Sequence, residues 1–275
     1  MNDVTIVNPR PVELASGVFW LGECVEVSYK QQRLHSGVSI YLVAGDEHSA
    51  IVDAGITHVD VVMAQITKVL SEHGLPDVKY LFVTHPEVPH SGGIGHLLAR
   101  FPDAHAYGGV NDLHLVFPQF ADRIHPSDPG DVLDLGGTEL RVVESVFRDL
   151  PYTRWAFDTR RRVLFAGDGC SFSHEHDPRH CGHLTEDVPD LDIPAQMALF
   201  AVAAFNWVEY VDIEPYLARL DELVFDELDA TLIAQTHGLP IGDPRRTLPQ
   251  VHEGLRRVSG SVSEGLLEEP LTAIQ

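Results

Sequence analysis

The chain alternates between short apolar runs and longer segments in which apolar residues recur at helical spacing. Runs rich in β-branched and aromatic residues predict strands over 17–21, 38–43, 50–53, 78–83, 105–107, 132–135, 140–143, 155–157, 163–166 and 231–234. Helical spacing, clearest at Val62, Ile66 and Leu70, predicts helices over 59–73, 193–209, 213–226 and 246–258. We expect Ser91 to cap a further short helix that carries Ile94.

Strands occur in both halves of the chain, with helices between and after them. We therefore expect an α/β fold in which each half forms a sheet covered by helices on one face. Two such layers packed sheet to sheet give a four-layer αββα sandwich. No Pro/Gly-rich linker separates the halves, so residues 1–275 are predicted to form a single domain. The polar segment 171–192 predicts an irregular loop that covers another part of the molecule.

The charge balance excludes two classes of partner. With 19 Lys and Arg against 41 Asp and Glu, the formal net charge is −22. Such a surface repels nucleic acid and anionic membranes, so neither is expected as a main partner. We find no apolar run of about 18 residues and no secretory signal. The three cysteines, Cys24, Cys170 and Cys181, do not form a disulfide framework, so we expect a cytoplasmic location.

The strongest chemical signal is the segment THPEVPHSGG at residues 84–93, directly after the apolar strand 78–83. It places His85, Glu87 and His90 in one loop at a strand end. Imidazole nitrogen and carboxylate oxygen are ligands that Zn, Fe, Mn and Ni share. We therefore predict a metal site here, and a purely structural His/Glu turn is the alternative.

Three more candidate residues also stand at strand ends. Asp168 follows the strand 163–166, where its carboxylate could bridge two metals, and an ordinary Asp-Gly turn is the alternative. His237 follows the strand 231–234, and a surface loop histidine is the alternative. The Asp53 carboxylate could accept a hydrogen bond from a metal ligand, although a turn aspartate is the simpler interpretation. Asp149, taken alone, is a loop aspartate.

These motifs together resemble a known family. A strand followed by THxxxxHSGG, then Gly167-Asp168-Gly169, then Thr236-His237-Gly238 is similar to the metallo-β-lactamase superfamily. That superfamily usually carries His-x-His-x-Asp-His in the first loop, whereas this chain has Glu87 at the second histidine. The glutamate variant is found in flavodiiron proteins and oxygen-binding diiron proteins. The likeness covers roughly residues 15–260 and implies a four-layer αββα sandwich of metallo-β-lactamase type.

The resemblance implies a dinuclear site and its ligands. The implied first-site ligands are His85, Glu87, Asp149 and Asp168, and the implied second-site ligands are His90, Asp168 and His237. Two positions depart from the family pattern. Asp149 stands where the family has a histidine, and Pro89 stands where it has a ligand aspartate. Since proline offers no side-chain donor, we expect the second metal to be more open, weakly held or absent.

The implied ligand set favours iron. Replacing imidazole by carboxylate hardens the site, and hard oxygen donors favour Fe or Mn over Zn relative to an all-histidine site. The resemblance therefore implies two Fe ions, with Mn or Zn as alternatives. Negative ligand charge also stabilises Fe(III), which suits redox chemistry with O2 or NO more than hydrolysis.

Five further side chains are candidates for contacts to ligands or substrate: His35, Asp53, Tyr152, His174 and His176. The last two lie in the histidine-rich loop 173–183, which could line the mouth of the site or supply a proton donor. A solvated polar loop is the alternative. His35 is a candidate because a histidine of this region approaches the metals in the resembled family. Cys170 is expected to be a packed core cysteine.

Three functions remain open from the sequence. The first is a non-haem diiron oxidoreductase that activates O2, NO or peroxide. Because we find no flavodoxin-like phosphate loop up to Gln275, its electrons would come from a separate protein or from an organic substrate. The second is a metal-dependent hydrolase of an ester, thioester, lactone or phosphoester. The third is a diiron O2 or NO sensor. The resemblance also implies a homodimer.

Overall fold

The computed structural model describes residues 6–7, 11–29, 32–55, 59–174 and 177–260. A first sheet contains eight strands: β1 (Ile6–Val7), β2 (Val12–Ala15), β3 (Val18–Tyr29), β4 (Gln32–Ala44), β5 (Ser49–Val52), β6 (Val78–Val83), β7 (His105–Gly108) and β8 (Ile124–Pro126). Their order is β1-β3-β4-β5-β6-β7-β8, and β2 also pairs with β3. The strands β5 to β8 run parallel to one another.

A second sheet has the order β13-β12-β11-β10-β9. Its strands are β9 (Val132–Asp134), β10 (Glu139–Val143), β11 (Trp155–Asp158), β12 (Val163–Gly167) and β13 (Leu232–Gln235). Within it, β12 and β13 are parallel neighbours. The carboxyl ends of these two strands therefore lie at the same edge of the sheet.

Helices cover the outer face of each sheet. The α-helices are α1 (Val59–His73), α2 (Val88–Ser91), α3 (Ile94–Arg100), α4 (Leu113–Val116), α5 (Ile193–Ala204), α6 (Glu214–Asp221) and α7 (Pro244–Arg256). One core cluster joins α1 and α3 to the first sheet, and another joins α5, α6 and α7 to the second. A third cluster fills the space between the sheets. This arrangement confirms the predicted four-layer αββα sandwich.

The apolar runs are buried on both faces, as strand β4 illustrates. Ile40 and Leu42 pack toward the helices of the first layer, whereas Tyr41 and Val43 pack between the two sheets. Successive side chains of a strand point to opposite faces. A central strand of this sandwich therefore needs apolar residues at every position, which explains why these strands are continuous apolar runs instead of alternating ones.

Some local expectations were wrong. Ser91 does not cap a helix, because it ends α2 and its hydroxyl donates to the carbonyls of Pro86 and Glu87. Gly93 precedes α3 instead, without a side-chain cap. The segments expected as single helices over 193–209 and 213–226 are each divided. α5 ends at Ala204 before a 3-10 turn (Asn206–Tyr210), and α6 runs into a π-helical turn (Glu222–Glu227). Among the described residues, no helix combines the length and apolar character needed to cross a bilayer.

Candidate metal centre

The ends of four strands bring the candidate residues together. Asp53 follows β5 and His85 follows β6, while Asp168 follows β12 and His237 follows β13. In each sheet the two strands are parallel neighbours, so their carboxyl ends open at one edge. His90 comes from α2, directly after the loop that follows β6.

A first group of donors surrounds His85, which is completely buried. Its Nε2 lies 2.9 Å from Oδ2 of Asp149. The same atom lies 4.0 Å from Oε2 of Glu87 and 4.0 Å from Oδ2 of Asp168. Three carboxylates therefore lie within 4.0 Å of one imidazole nitrogen, although the Glu87 side chain keeps 52% of its surface exposed.

A second group shares Asp168 with the first. Oδ1 of Asp168 lies 3.3 Å from Nε2 of His90 and 3.6 Å from Nε2 of His237. The other carboxylate oxygen of Asp168, Oδ2, is the one that faces His85. The rings of His85 and His90 are only 3.7 Å apart between centroids. Asp168 is thus placed between two groups of donors, one for each of its oxygens.

The donor atoms fit a metal because several of them form no regular hydrogen bond in the described part of the chain. Four buried atoms form no hydrogen bond of regular geometry there, although they approach one another in two pairs at 2.9 Å and 3.3 Å: Nε2 of His85 with Oδ2 of Asp149, and Nε2 of His90 with Oδ1 of Asp168. An unsatisfied buried polar group costs about 1–3 kcal/mol, and a charged one costs more. Cations bound at the two groups of donors would take up these atoms and offset this cost.

Asp53 holds His90 in position. Its Oδ2 lies 2.8 Å from Nδ1 of His90 and accepts a hydrogen bond from the hydroxyl of Thr236 at 2.8 Å. Its Oδ1 accepts bonds from the backbone N–H of Thr84 at 2.8 Å and from the Thr84 hydroxyl at 2.9 Å. With the Nδ1 proton directed to Asp53, Nε2 of His90 faces Oδ1 of Asp168 and is the nitrogen that a metal would bind after displacing its proton. Carboxylates that orient a metal-binding histidine commonly do so through this contact.

A backbone carbonyl fixes the tautomer of His237. Nδ1 of His237 donates to the carbonyl oxygen of Gly37, in β4, at 2.6 Å. Because a carbonyl only accepts, Nδ1 carries the proton and Nε2 is left as the free donor toward Asp168. Strand β4 of the first sheet therefore aligns a residue that follows a strand of the second sheet.

The pKa values of the metal-free site indicate tightly coupled charges. Burial alone would lower the pKa of His90, but the carboxylates of Asp53 and Asp168 outweigh burial and raise it to about 10. Burial opposes ionisation of Asp168, yet the charges of His90 and His237 hold its pKa well below its usual value. Burial also opposes ionisation of Asp149, and its contact with His85 lowers that pKa nonetheless. For His237, burial is the largest influence and lowers the pKa.

The other sequence candidates have varied positions. Nδ1 of His35 lies against two cysteine sulfurs, and its ring stacks on that of His174 at 5.9 Å. His174 is fully buried, which argues against a solvated loop at that position. Tyr152 keeps 44% of its surface exposed. His176 lies outside the described residues. Cys170 is buried in the core beneath the second sheet, as expected of a packed cysteine.

Two features were missed in the sequence. The hydroxyls of Thr84 and Thr236 both donate to Asp53, and each threonine stands directly before a histidine of the site. The repeated Thr-His pair was therefore an available signal. The second feature is a separate group formed by Cys24, His35 and Cys181, whose donor atoms lie within 4.8 Å of one another. No local spacing indicates it, because its members are distant in the sequence.

Comparisons with known proteins show which sequences this chain resembles. Residues 35–151 match the family model of the metallo-beta-lactamase superfamily. The coenzyme F420H2 oxidase of Methanothermobacter marburgensis is 25% identical over 293 aligned residues, which cover 93% of this chain and 69% of the relative. An anaerobic nitric oxide reductase flavorubredoxin of Salmonella arizonae is 32% identical over 104 residues, covering 36% of this chain and 21% of the relative.

A solved structure supports the fold. The flavodiiron protein from Giardia intestinalis superimposes with a TM-score of 0.71 over 90% of this chain, at 12% sequence identity. The chain spans 60% of that structure's length. The likeness therefore concerns the αββα sandwich.

Proposed function

Because this chain belongs to the metallo-β-lactamase superfamily, and because its similar proteins are oxidases and nitric oxide reductases, we propose that it is a non-haem diiron oxidoreductase that binds and reduces O2 or NO. The observation that carries the proposal is the convergence of buried imidazole and carboxylate donors on Asp168. With Asp149 and Glu87 beside His85, the donor set is rich in hard oxygen ligands, which favour iron over zinc.

In this proposal the residues divide between two irons. The first iron would be held by His85, Glu87, Asp149 and Asp168, and the second would be held by His90, Asp168 and His237. The half-exposed Glu87 is the ligand with the most freedom to move toward the metal. Asp168 would contribute to both irons, since each of its oxygens faces a different group of donors. Two bound irons would supply binding positions and electrons for a diatomic gas.

The surrounding residues then do three tasks. Asp53 and the Gly37 carbonyl keep the protons of His90 and His237 on Nδ1, away from the metals. Thr153 donates to Oδ1 of Asp149 at 2.9 Å and leaves Oδ2 for the metal. The packing of both sheets around these side chains excludes water and fixes their directions before any metal binds.

The electron source belongs to the same proposal. The similar oxidase is named for a reduced coenzyme, F420H2, and the similar nitric oxide reductase is a flavorubredoxin. We propose a separate redox partner or an organic reductant for this chain as well. We also propose that residues 1–275 act as a single domain in a cytoplasmic homodimer.

The test begins with metal analysis of protein purified aerobically without added metal. We expect about two irons per chain, with absorption in the near-ultraviolet and visible from the carboxylate-histidine iron site. Reduced protein should then consume O2 or NO in an electrode chamber, and the same protein loaded with Mn or Zn should consume far less. Iron-free protein that hydrolyses an ester or thioester would contradict the proposal and favour hydrolysis.

A further inference from the structure

A second group of metal-type donors lies apart from the carboxylate centre. It contains Cys24 of β3, His35 of β4 and Cys181 of the loop that follows β12. All three side chains are buried: Cys24 and Cys181 have no exposed surface, and His35 is 4% exposed. Two thiols and an imidazole are therefore removed from solvent together, although their positions in the sequence are far apart.

The distances in this group match a zinc polyhedron. Nδ1 of His35 lies 3.5 Å from Sγ of Cys24 and 3.4 Å from Sγ of Cys181. In tetrahedral zinc sites the metal lies about 2.3 Å from sulfur and about 2.0–2.1 Å from imidazole nitrogen, which separates the two ligand atoms by about 3.5 Å. The three side chains are thus already spaced as ligands around one ion.

We propose that Cys24, His35 and Cys181 bind one zinc ion. Thiolate sulfur is a soft donor that selects zinc over harder metals, whereas the carboxylate centre selects iron. Within the described residues the group has three donors, and three-ligand zinc sites complete their coordination with water or another small ligand. The chain would then carry two metal centres, one that prefers zinc and one that prefers iron.

The position of this zinc gives it a structural role. His35 and His174 exchange two backbone hydrogen bonds, of 2.7 Å and 2.9 Å, that join β4 to the loop after Asp168. A metal shared by Cys24, His35 and Cys181 would fasten the same loop to β3 and β4 a second time. Two residues beyond His35, the carbonyl of Gly37 orients His237. The zinc would therefore hold the part of β4 that aligns a ligand of the iron centre.

The competing state is a disulfide between Cys24 and Cys181. A disulfide needs no imidazole, yet Nδ1 of His35 lies at nearly equal distance from the two sulfurs. This placement favours an ion shared by all three side chains. Disulfide formation in protein purified under reducing conditions would overturn the proposal.

Cobalt substitution distinguishes this site from the carboxylate centre. Co²⁺ bound by cysteine thiolates absorbs in the near-ultraviolet by sulfur-to-metal charge transfer, whereas the imidazole and carboxylate ligands of the other centre give no such band. Metal-free wild-type protein titrated with Co²⁺ should develop the band with an endpoint of about one cobalt per chain. Zinc should then abolish the band. Absence of the band in reduced wild-type protein would overturn the proposal.

Variants locate the ligands. Cys24→Ser and Cys181→Ser should each lose the thiolate band, and His35→Ala should shift or weaken it. The matched control is Cys170→Ser, because Cys170 is a buried cysteine outside the group, with a thiol pKa that burial raises to about 12. The control should keep the band. A band that persists in Cys24→Ser or disappears in Cys170→Ser would assign the metal elsewhere.

A measurement on the wild type covers the case in which the variants do not fold. Zinc-loaded protein titrated with an organomercurial should release about one zinc as about two thiols react, detected with a colorimetric zinc indicator. Release of zinc without reaction of thiols would contradict the proposal. Because iron content and O2 consumption are measured separately, failure of the zinc site would leave the proposed iron chemistry untouched.

Discussion

The carboxylate centre and the cysteine group differ in how the chain encodes them. Three donors of the carboxylate centre, His85, Asp168 and His237, lie just beyond strand ends, and three donors fall within six residues, His85 to His90. The cysteine group joins two positions of a long hairpin, Cys24 and His35, to Cys181 in a distant loop. The first centre is buried between strand ends at the edge of both sheets, whereas the second fastens a loop to one sheet.

In this molecule the two groups of donors differ both in ligand chemistry and in their position in the fold. Parallel strand ends collect polar side chains at one edge, where a reactive metal can also meet a substrate. The β3–β4 hairpin and the loop of Cys181 do not lie at such an edge. Their donors are two cysteine sulfurs and one imidazole, which suit a structural ion. If the comparison is correct, changes at one centre should leave the metal of the other centre in place.

The largest expected effect comes from Asp168→Ala. Because Asp168 faces both donor groups, its removal should empty both iron positions and lower O2 or NO consumption by more than about 100-fold, since even contacts behind the ligands are worth about 10–100-fold. Metal analysis should still find zinc at the cysteine group. The control is Asp103→Ala, an exposed carboxylate before β7 at the opposite edge of the sheet. Loss of zinc together with iron would show that the two metal centres are not independent.

Asp149→Ala should affect one position only. Oδ2 of Asp149 lies 2.9 Å from Nε2 of His85, and its side chain is 7% exposed. We expect iron content to fall from about two toward about one per chain, with the remaining iron at the second site. Asp103→Ala again serves as the control. Wild-type iron content and activity would mean that Asp149 only hydrogen-bonds to His85.

Much of the fold and part of the site could be predicted from the sequence for a physical reason. Continuous apolar runs such as 40–43 of β4 are typical of strands buried on both faces, and two such sets favour two packed sheets. His85 and Asp168 could be singled out as candidates because a polar residue close behind a buried strand is conspicuous. The contact between His90 and Asp53 joins two distant segments of the chain. The sequence could therefore suggest Asp53 as a hydrogen-bond partner of a ligand, but it could not identify His90 as that ligand.

The proximity of Cys24, His35 and Cys181 could not be predicted from the sequence. Cys24 and His35 approach each other because of the register of β3 and β4, in which His35 is paired with Glu26. Cys181 reaches them through the loop that is bridged to β4 at His174. Neither the register nor the loop path is visible in residue spacing. Ser91 failed as a predicted cap for a local reason, because its hydroxyl donates to a carbonyl within its own turn.

Asp53→Asn should weaken the second iron position without emptying it. Asp53 has a φ of 59°, a conformation that asparagine tolerates, so the backbone should be preserved. The amide cannot accept on both sides as the carboxylate does, and one of its contacts to His90 or to the threonines is lost. Metal affinity at the second site should fall by about 10–100-fold. An unchanged affinity, with unchanged zinc content, would show that His90 does not need this carboxylate.

The second position should also respond to pH. With a pKa raised to about 10 in the metal-free protein, His90 carries a proton at neutral pH that a metal must displace. Mn²⁺ affinity, measured by calorimetry, should therefore rise about tenfold per unit between about pH 7 and 8.5. The sign for folding is opposite. The stability that protonated His90 gives the metal-free protein is fully present below about pH 6.5 and is lost as pH rises through about 10.

Thermal unfolding of the metal-free protein checks the second part of this expectation. The melting temperature should decline toward pH 10 in the wild type and decline less in Asp53→Asn, because the carboxylate that raises the pKa of His90 has been removed. Parallel pH profiles in the two proteins would contradict the role given to Asp53.

The smallest expected effect comes from Pro89→Asp, which restores the carboxylate that the resembled family has at this position. Pro89 lies in the first turn of α2, where a fixed φ suits the helix start, so its loss should cost about 0.4–1 kcal/mol of stability. A new carboxylate beside His90 should nevertheless tighten Mn²⁺ binding at the second site by up to about tenfold. A lower melting temperature with unchanged affinity would mean that the backbone at this position points away from the metal.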